Sequence, residues 1–205
     1  MDKNELLKYA TSLDPAQRAM LEGKQVQSET KYDTIPLPAA ILASTQFFAN
    51  QTADLAIKNF DGNGILVNSG KFFLIQTIGA VIESIAAAVT GQNIVDVINQ
   101  CALRLQIDSK VMGTFPLHQL TGFGGAFLPS QVGPTVAANP PGGVANFGIT
   151  NGMPLSQPFR INPMLIEPQK NFAAFLIAPT GAPITLAGIL GLKICLGGLQ
   201  FQAIQ

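Results

Sequence analysis

Charge is what this sequence has least of. Residues 111–205 carry four charged side chains, Arg160, Glu167, Lys170 and Lys193, whereas the first 33 residues hold eleven of the 24 in the chain. Soluble domains carry about a quarter charged residues, so the C-terminal half has too little charged surface to stand alone in water. Either lipid or protein must cover it. Tryptophan is absent and tyrosine occurs only as Tyr9 and Tyr32, which leaves 13 phenylalanines to carry the aromatic packing. Histidine occurs once, as His118, too few for a histidine-based metal site. Cys101 and Cys195 fit no metal spacing; they read as buried free thiols, with a disulfide between them the open alternative. The formal net charge is zero, which gives no electrostatic case for nucleic acid or an anionic membrane surface.

Long apolar runs are missing as well. A spanning helix needs about 20 mostly apolar residues in a row. Ile184–Leu199 is shorter, holds Lys193 and is broken by Gly188, Gly191, Gly197 and Gly198. Phe72–Val89 is interrupted by Gln76, Glu83 and Ser84. Neither has the flanking basic clusters that orient a membrane segment. The opening MDKNELLKYA lacks the basic-then-apolar order of a secretory signal. Protein is therefore the expected cover.

Catalytic material is equally thin. No nucleophile elbow and no phosphate loop with its lysine occurs. Gly122-Phe123-Gly124-Gly125 reads as a turn, and His118 as a hydrogen-bonded structural residue. The acids Asp54, Asp61, Glu83, Asp96, Asp108 and Glu167 are scattered, and nothing nominates a glycosidase pair among them. The expectation is a protein that is not an enzyme and takes no cofactor and no metal. The first 33 residues set Lys3, Lys8, Arg18, Lys24 and Lys31 against Asp2, Glu5, Asp14, Glu22, Glu29 and Asp33. Phosphate binding needs a surplus of cations; this segment has a deficit, so no direct nucleic-acid binding is expected.

What the sequence does contain is punctuation. Asp2 and Glu5 have capping-box spacing, and Leu6, Leu7, Ala10 and Leu13 form a short stripe. Asp14 then reads as a helix N-cap with Pro15 at the first helical position, Ala16 to Glu22 as the helix and Gly23 as its stop. Lys24 to Thr34 is polar and aperiodic, and Ile35-Pro36-Leu37-Pro38 is extended. Residues 1–40 thus read as an N-terminal arm of two short helices and an extended tether, and 41–205 as a β domain. Within that domain, Thr45 to Ile57 is strand-prone and Asp61-Gly62-Asn63-Gly64 is a turn. Lys71 to Val81 suits a strand buried on both faces. Ser84 to Gln100 is ambiguous between strand and helix, with Asn93 and Asp96 as possible caps. Ala102 to Asp108 alternates, with Leu103, Leu105 and Ile107 on one face. Glycine and proline nearly exclude helix from Val111 to Arg160. Two closing strands follow, Asn171–Ala178 and Ile184–Leu199, joined as a hairpin through Pro179–Pro183. Short strands with Gly/Pro turns point to an all-β sandwich or barrel.

Three stretches carry a resemblance: Lys71-Phe72-Phe73-Leu74-Ile75-Gln76-Thr77-Ile78, then Leu103–Ile107 running to Gly113-Thr114-Phe115-Pro116-Leu117, and the ending Phe159-Arg160-Ile161-Asn162-Pro163 through Asn171-Phe172. Together they resemble single jelly-roll capsid proteins of tailless icosahedral viruses, in particular bacteriophage virion proteins. The likeness spans residues 41–205 and departs from RNA-virus capsid proteins in lacking a basic arm. It implies an antiparallel eight-stranded jelly-roll sandwich behind a short helical arm. It also implies a self-assembling shell subunit located in the virion. The partners so implied are copies of the chain in trimer, pentamer or hexamer capsomers, other virion proteins, and an internal membrane as a further candidate. The residues expected to carry assembly are Leu6, Leu7, Leu13, Met20 and Leu21 of the arm and Phe123, Phe127 and Phe147 of the loops. The alternatives are a trimeric β-sandwich spike or receptor/glycan-binding head, and a β-sandwich hydrolase.

Overall fold

The structure, a computed structural model, describes residues 13–37, 41–42, 44–49, 58–60, 62, 64–85, 89, 91–121, 158–178 and 184–203. Two antiparallel sheets of four strands each face one another across an apolar core. The first runs in the order β1 (Gln25–Leu37), β10 (Leu190–Gln202), β4 (Lys71–Ile85), β7 (Phe159–Ile166). The second runs β3 (Ser44–Phe47), β8 (Phe172–Ile177), β5 (Ala102–Ile107), β6 (Lys110–Pro116). A ribbon of β2 (Ile41–Leu42) and β9 (Ile184–Thr185) stands apart. The helices are α1 (Pro15–Leu21), α2 (Gly91–Gln100) and α3 (Leu117–Leu120). The pairing is nested: β1 meets β10, β3 meets β8, β4 meets β7 and β5 meets β6. The all-β sandwich expected from short strands and Gly/Pro turns is the observed architecture.

The core follows from strand alternation. Leu190, Leu192, Ile194 and Leu196 of β10 face inward, as the period of two requires, and meet Leu103, Leu105, Ala174 and Leu176 of the second sheet. β4 is buried on both faces, as expected: Phe73 and Ile75 enter the core, while Leu74 enters a separate cluster on the outer side. Past Ile75 its phase inverts, and Ile78, Ala80 and Ile82 point inward. A bulge permits this. Gly197 of β10 pairs with Thr77 and Gly198 with Ile75, so Gln76 is the extra residue.

α1 matches its sequence signals. The Asp14 carboxylate accepts from the Gln17 amide at 2.7 Å, and Gly23 ends the turn at φ +71°. Leu13 and Leu21 pack against Leu74, Leu165, Leu199 and Phe201, so the helix lies on the outer face of the first sheet. Two fully buried leucines contribute about 2 kcal/mol each, which holds a helix too short to persist alone.

Several expectations need correction. Lys24 to Thr34 is no tether: Gln25–Leu37 is an edge strand paired along its length with β10. It hides from hydrophobic periodicity because the inward positions Glu29, Lys31 and Asp33 are polar, so only Ile35 and Leu37 mark the core side. The arm therefore gives way to the sandwich at Gln25, and residues 25–37 join the unit expected over 41–205. The Asn171–Ala178 and Ile184–Leu199 segments form no hairpin. β8 lies in the second sheet and β10 in the first, because both apolar faces need the core and cross it rather than pair. The ambiguous Ser84–Gln100 splits, with β4 running to Ile85 and α2 starting at Gly91. Ile94 and Val97 recur on one helix face and are buried, with Cys101 buried just behind the helix, which overrides β-branched propensity. Of the strand expected over Thr45–Ile57, the described residues show Ser44–Phe47, and 50–57 lie outside them. One turn of helix, α3, does occur after Val111, starting directly behind Pro116. No helix among the described residues is long and apolar enough to cross a membrane.

Candidate functional site

Asp108 organises a polar corner among the described residues. It follows β5 in the left-handed region, φ +51°, where a short acidic side chain is tolerated. Its amide donates to the Asn171 carbonyl at 2.7 Å, and its carboxylate accepts from the Asn171 amide at 3.2 Å. The Lys170 ammonium stands 3.2 Å from the same carboxylate, with both side chains half exposed. Gln106 donates through Nε2 to the Asp108 carbonyl at 2.8 Å. The turn after β5 is thereby clamped to the turn before β8.

Two clefts flank Asp108. One, of about 330 Å³, is lined by Gln46, Gln106, Asp108, Asn171 and Phe175. The other, of about 340 Å³, takes in Lys110, Leu165, Glu167 and Lys170. Beside the first cleft the Arg104 guanidinium lies over the Phe175 ring at 5.5 Å. Arg104 and Phe175 are cross-strand partners, and Gln46 pairs with Phe175 on the other side. Gln169 is also left-handed, at φ +61°, and its amide donates to Val67 at 3.3 Å.

A second knot ties β1 to the same end. Asp33 is fully buried; its Oδ2 accepts from the Phe48 amide, and Lys58 approaches Oδ1 at 3.2 Å as an ion pair. Phe48 is held at φ +62°, with its carbonyl accepting from Gly64 at 2.8 Å. Burial pushes the Asp33 carboxyl above its ordinary value, while the Phe48 amide and then the Lys58 charge pull the other way. Asn59 hangs on the outer edge of β1, donating to the Thr30 carbonyl and accepting from the Tyr32 amide. That edge is thereby partly covered.

Among the described residues these polar groups are tied to backbone and to each other. His118 is exposed on α3, away from the corner. Among the described residues no three His, Cys, Asp or Glu side chains gather to hold a metal ion. Cys101 and Cys195 are both buried and are not joined in a disulfide, and burial pushes the Cys101 thiol up to about 11.

No family model and no curated protein matches the chain. The expected assembly residues must accordingly be judged by position. Leu13 and Leu21 are buried on the chain's own sheet and offer no surface. Met20, 47% exposed, remains available. Leu6, Leu7, Phe123, Phe127 and Phe147 lie outside the described residues. The sequence reading missed Val111 and Ile189, 51% and 53% exposed: Ile189 sits in a stretch read as strand, and Val111 opens one read only as excluding helix. It also missed the Asp108–Lys170 clamp, whose partners are too far apart in sequence to signal each other.

Proposed function

We propose that the chain is a shell-building subunit, a capsid protein of a virion constructed on a single jelly roll. One observation carries the reading. Counting only the strands of the two large sheets, first pairs with last, second with seventh, third with sixth and fourth with fifth. That nesting supports a long antiparallel hairpin rolled into two sheets of four, the arrangement of the eight-stranded jelly roll used by viral capsid and lectin domains. The shortage of charge beyond Val111 supports burial against copies of the same chain, since uncharged surface has a low desolvation cost. Other virion proteins and an internal lipid layer are the further partners proposed. Electron microscopy and sedimentation of the purified protein test the reading. Rings or closed shells are expected, and a monomer at all concentrations overturns it.

A second reading, a trimeric receptor- or glycan-binding head, is favoured by the cleft where Phe175 stands beside Gln46, Gln106 and Asn171. Titration with neutral oligosaccharides, followed by resonance shifts at these residues, distinguishes it. A glycan-binding compact trimer that forms no larger particle selects the head.

A further inference from the structure

The outer face of the second sheet holds an arginine with no acid beside it. Leu103, Leu105, Ala174 and Leu176 point into the core, so the residues between them point out. One cross-strand row on that face runs Gln46, Phe175, Arg104, Thr114. Neither this row nor the rows on either side of it contains a carboxylate. The Arg104 guanidinium lies over the Phe175 ring at 5.5 Å, and its Nε is buried with no hydrogen-bond partner. Among the described residues Arg104 forms no ion pair. A buried donor left without an acceptor is unfavourable, and contact with the ring leaves the hydrogen-bonding capacity of the guanidinium for something else.

The adjoining cleft of about 330 Å³ is lined by uncommitted amides. Gln46 and Asn171 are exposed there, and among the described residues neither engages its side-chain amide. Gln106 follows Arg104 by two residues on the same face, about 7 Å along the strand. Its Nε2 is engaged by the Asp108 carbonyl, which leaves its Oε1 to accept. Asp108 is the one acid lining the cleft, and its charge is opposed by Lys170 at 3.2 Å. Phe175, between Gln46 and Arg104, gives the cleft an apolar wall.

We propose that this surface binds a sugar acid, a hydroxylated ring that carries a carboxylate. Arg104 takes the carboxylate as a charge-assisted pair. Gln46 and Asn171, which both donate and accept, take the hydroxyls together with the Gln106 oxygen. The C–H face of the ring rests against Phe175. An apolar acid is the poorer fit, because it would cover three amides and pair with none of them. The inference rests on the glycan-binding reading and adds the charge that the ligand carries; it is independent of whether the chain builds a shell.

The experiment titrates the full chain with glucuronate, glucose and acetate at low salt and follows the side-chain N–H resonances of Gln46, Asn171 and Arg104. Glucuronate should shift all three and bind about tenfold more tightly than glucose or acetate. Arg104→Gln should bring glucuronate down to the level of glucose and leave glucose unchanged. Because Arg104 is half-buried, Gln46→Glu at an exposed position is the second variant. It adds a negative charge to the cleft and should weaken glucuronate about tenfold more than it weakens glucose. Circular dichroism and melting confirm that each variant is folded. Equal affinity for glucuronate and glucose, unaltered by either variant, overturns the acidic ligand and leaves the glycan-binding reading standing. Acetate binding as tightly as glucuronate overturns the sugar. If none of the three moves a resonance, the site and the glycan-binding reading fall together.

Discussion

A Cβ on Gly198 would overlap the carbonyl oxygen of Leu74 on the neighbouring strand. The obstacle is backbone in the middle of a sheet, so nothing small can move aside. Gly198→Ala should lose about 3 kcal/mol of unfolding free energy, read as a shift in denaturant midpoint. At Gly197 the obstacle is the Thr77 hydroxyl, which sits on a side chain. Gly197→Ala should therefore be largely rescued by Thr77→Ala, and a cycle without such coupling would count against the close packing described.

The boundary between arm and sandwich can be found by truncation. Removing residues 1–24 takes away α1 and uncovers Leu74, Leu199 and Phe201 but leaves all of β1. That protein should fold, with a lowered melting temperature. Removing residues 1–34 deletes most of β1 and strips the edge of β10, and cooperative unfolding should disappear. Equal melting curves for the two truncations would refute the strand.

α1 itself makes a graded prediction. Leu21→Ala should cost about 2 kcal/mol because the side chain is buried against the sheet. Met20→Ala, one position away and exposed, should stay within about 0.5 kcal/mol. Chemical denaturation of the two variants gives the comparison directly.

Asp33 imposes a direction on the pH profile. Its folded-state pKa lies above the ordinary 3.8, so the folded chain holds the proton more tightly than the unfolded chain does. Its contribution is complete below that ordinary value and is lost as pH rises through the raised one. The stability of the parent minus that of Asp33→Asn should thus fall from about pH 4 towards neutrality. A difference that grows with pH would mean that Lys58 and the Phe48 amide outweigh burial.

Thiol chemistry gives an independent check of the core. Both cysteines are buried, and the Cys101 thiol is held protonated. Alkylating reagents at about pH 8 should label neither in the folded protein and both after denaturant. Reductant should leave the melting temperature unchanged.

How much of this was legible depends on how local each signal is. Asp14, Pro15 and Gly23 sit within one helix and its stop, and their reading holds. The alternating leucines of β10 likewise announce its inner face. β1 was illegible because polar residues occupy its core-side positions: Glu29 and Lys31 pair with each other, and Asp33 is held by Lys58 and the Phe48 amide. The segment joining β8 to β10 looks like a hairpin because proline and glycine specify a turn, whereas sheet membership is decided by the whole core. At the polar corner the alternation Leu103–Leu105–Ile107 carried Asp108 into the strand. Its left-handed backbone depends on Asn171, 63 residues on, and no pattern near Asp108 reports that.

The nested pairing has a consequence for how the chain is made. β5 and β6 adjoin across a single turn, so theirs is the pair most readily formed early. β1 emerges before every strand it could join, and its ladder partner β10 emerges after all the others. A growing chain therefore carries β1 unpaired through most of synthesis, and the first sheet is completed only when β10 arrives. Folding should be slow for so small a domain. Whatever recognises the finished sandwich can therefore act only after β10 has been made.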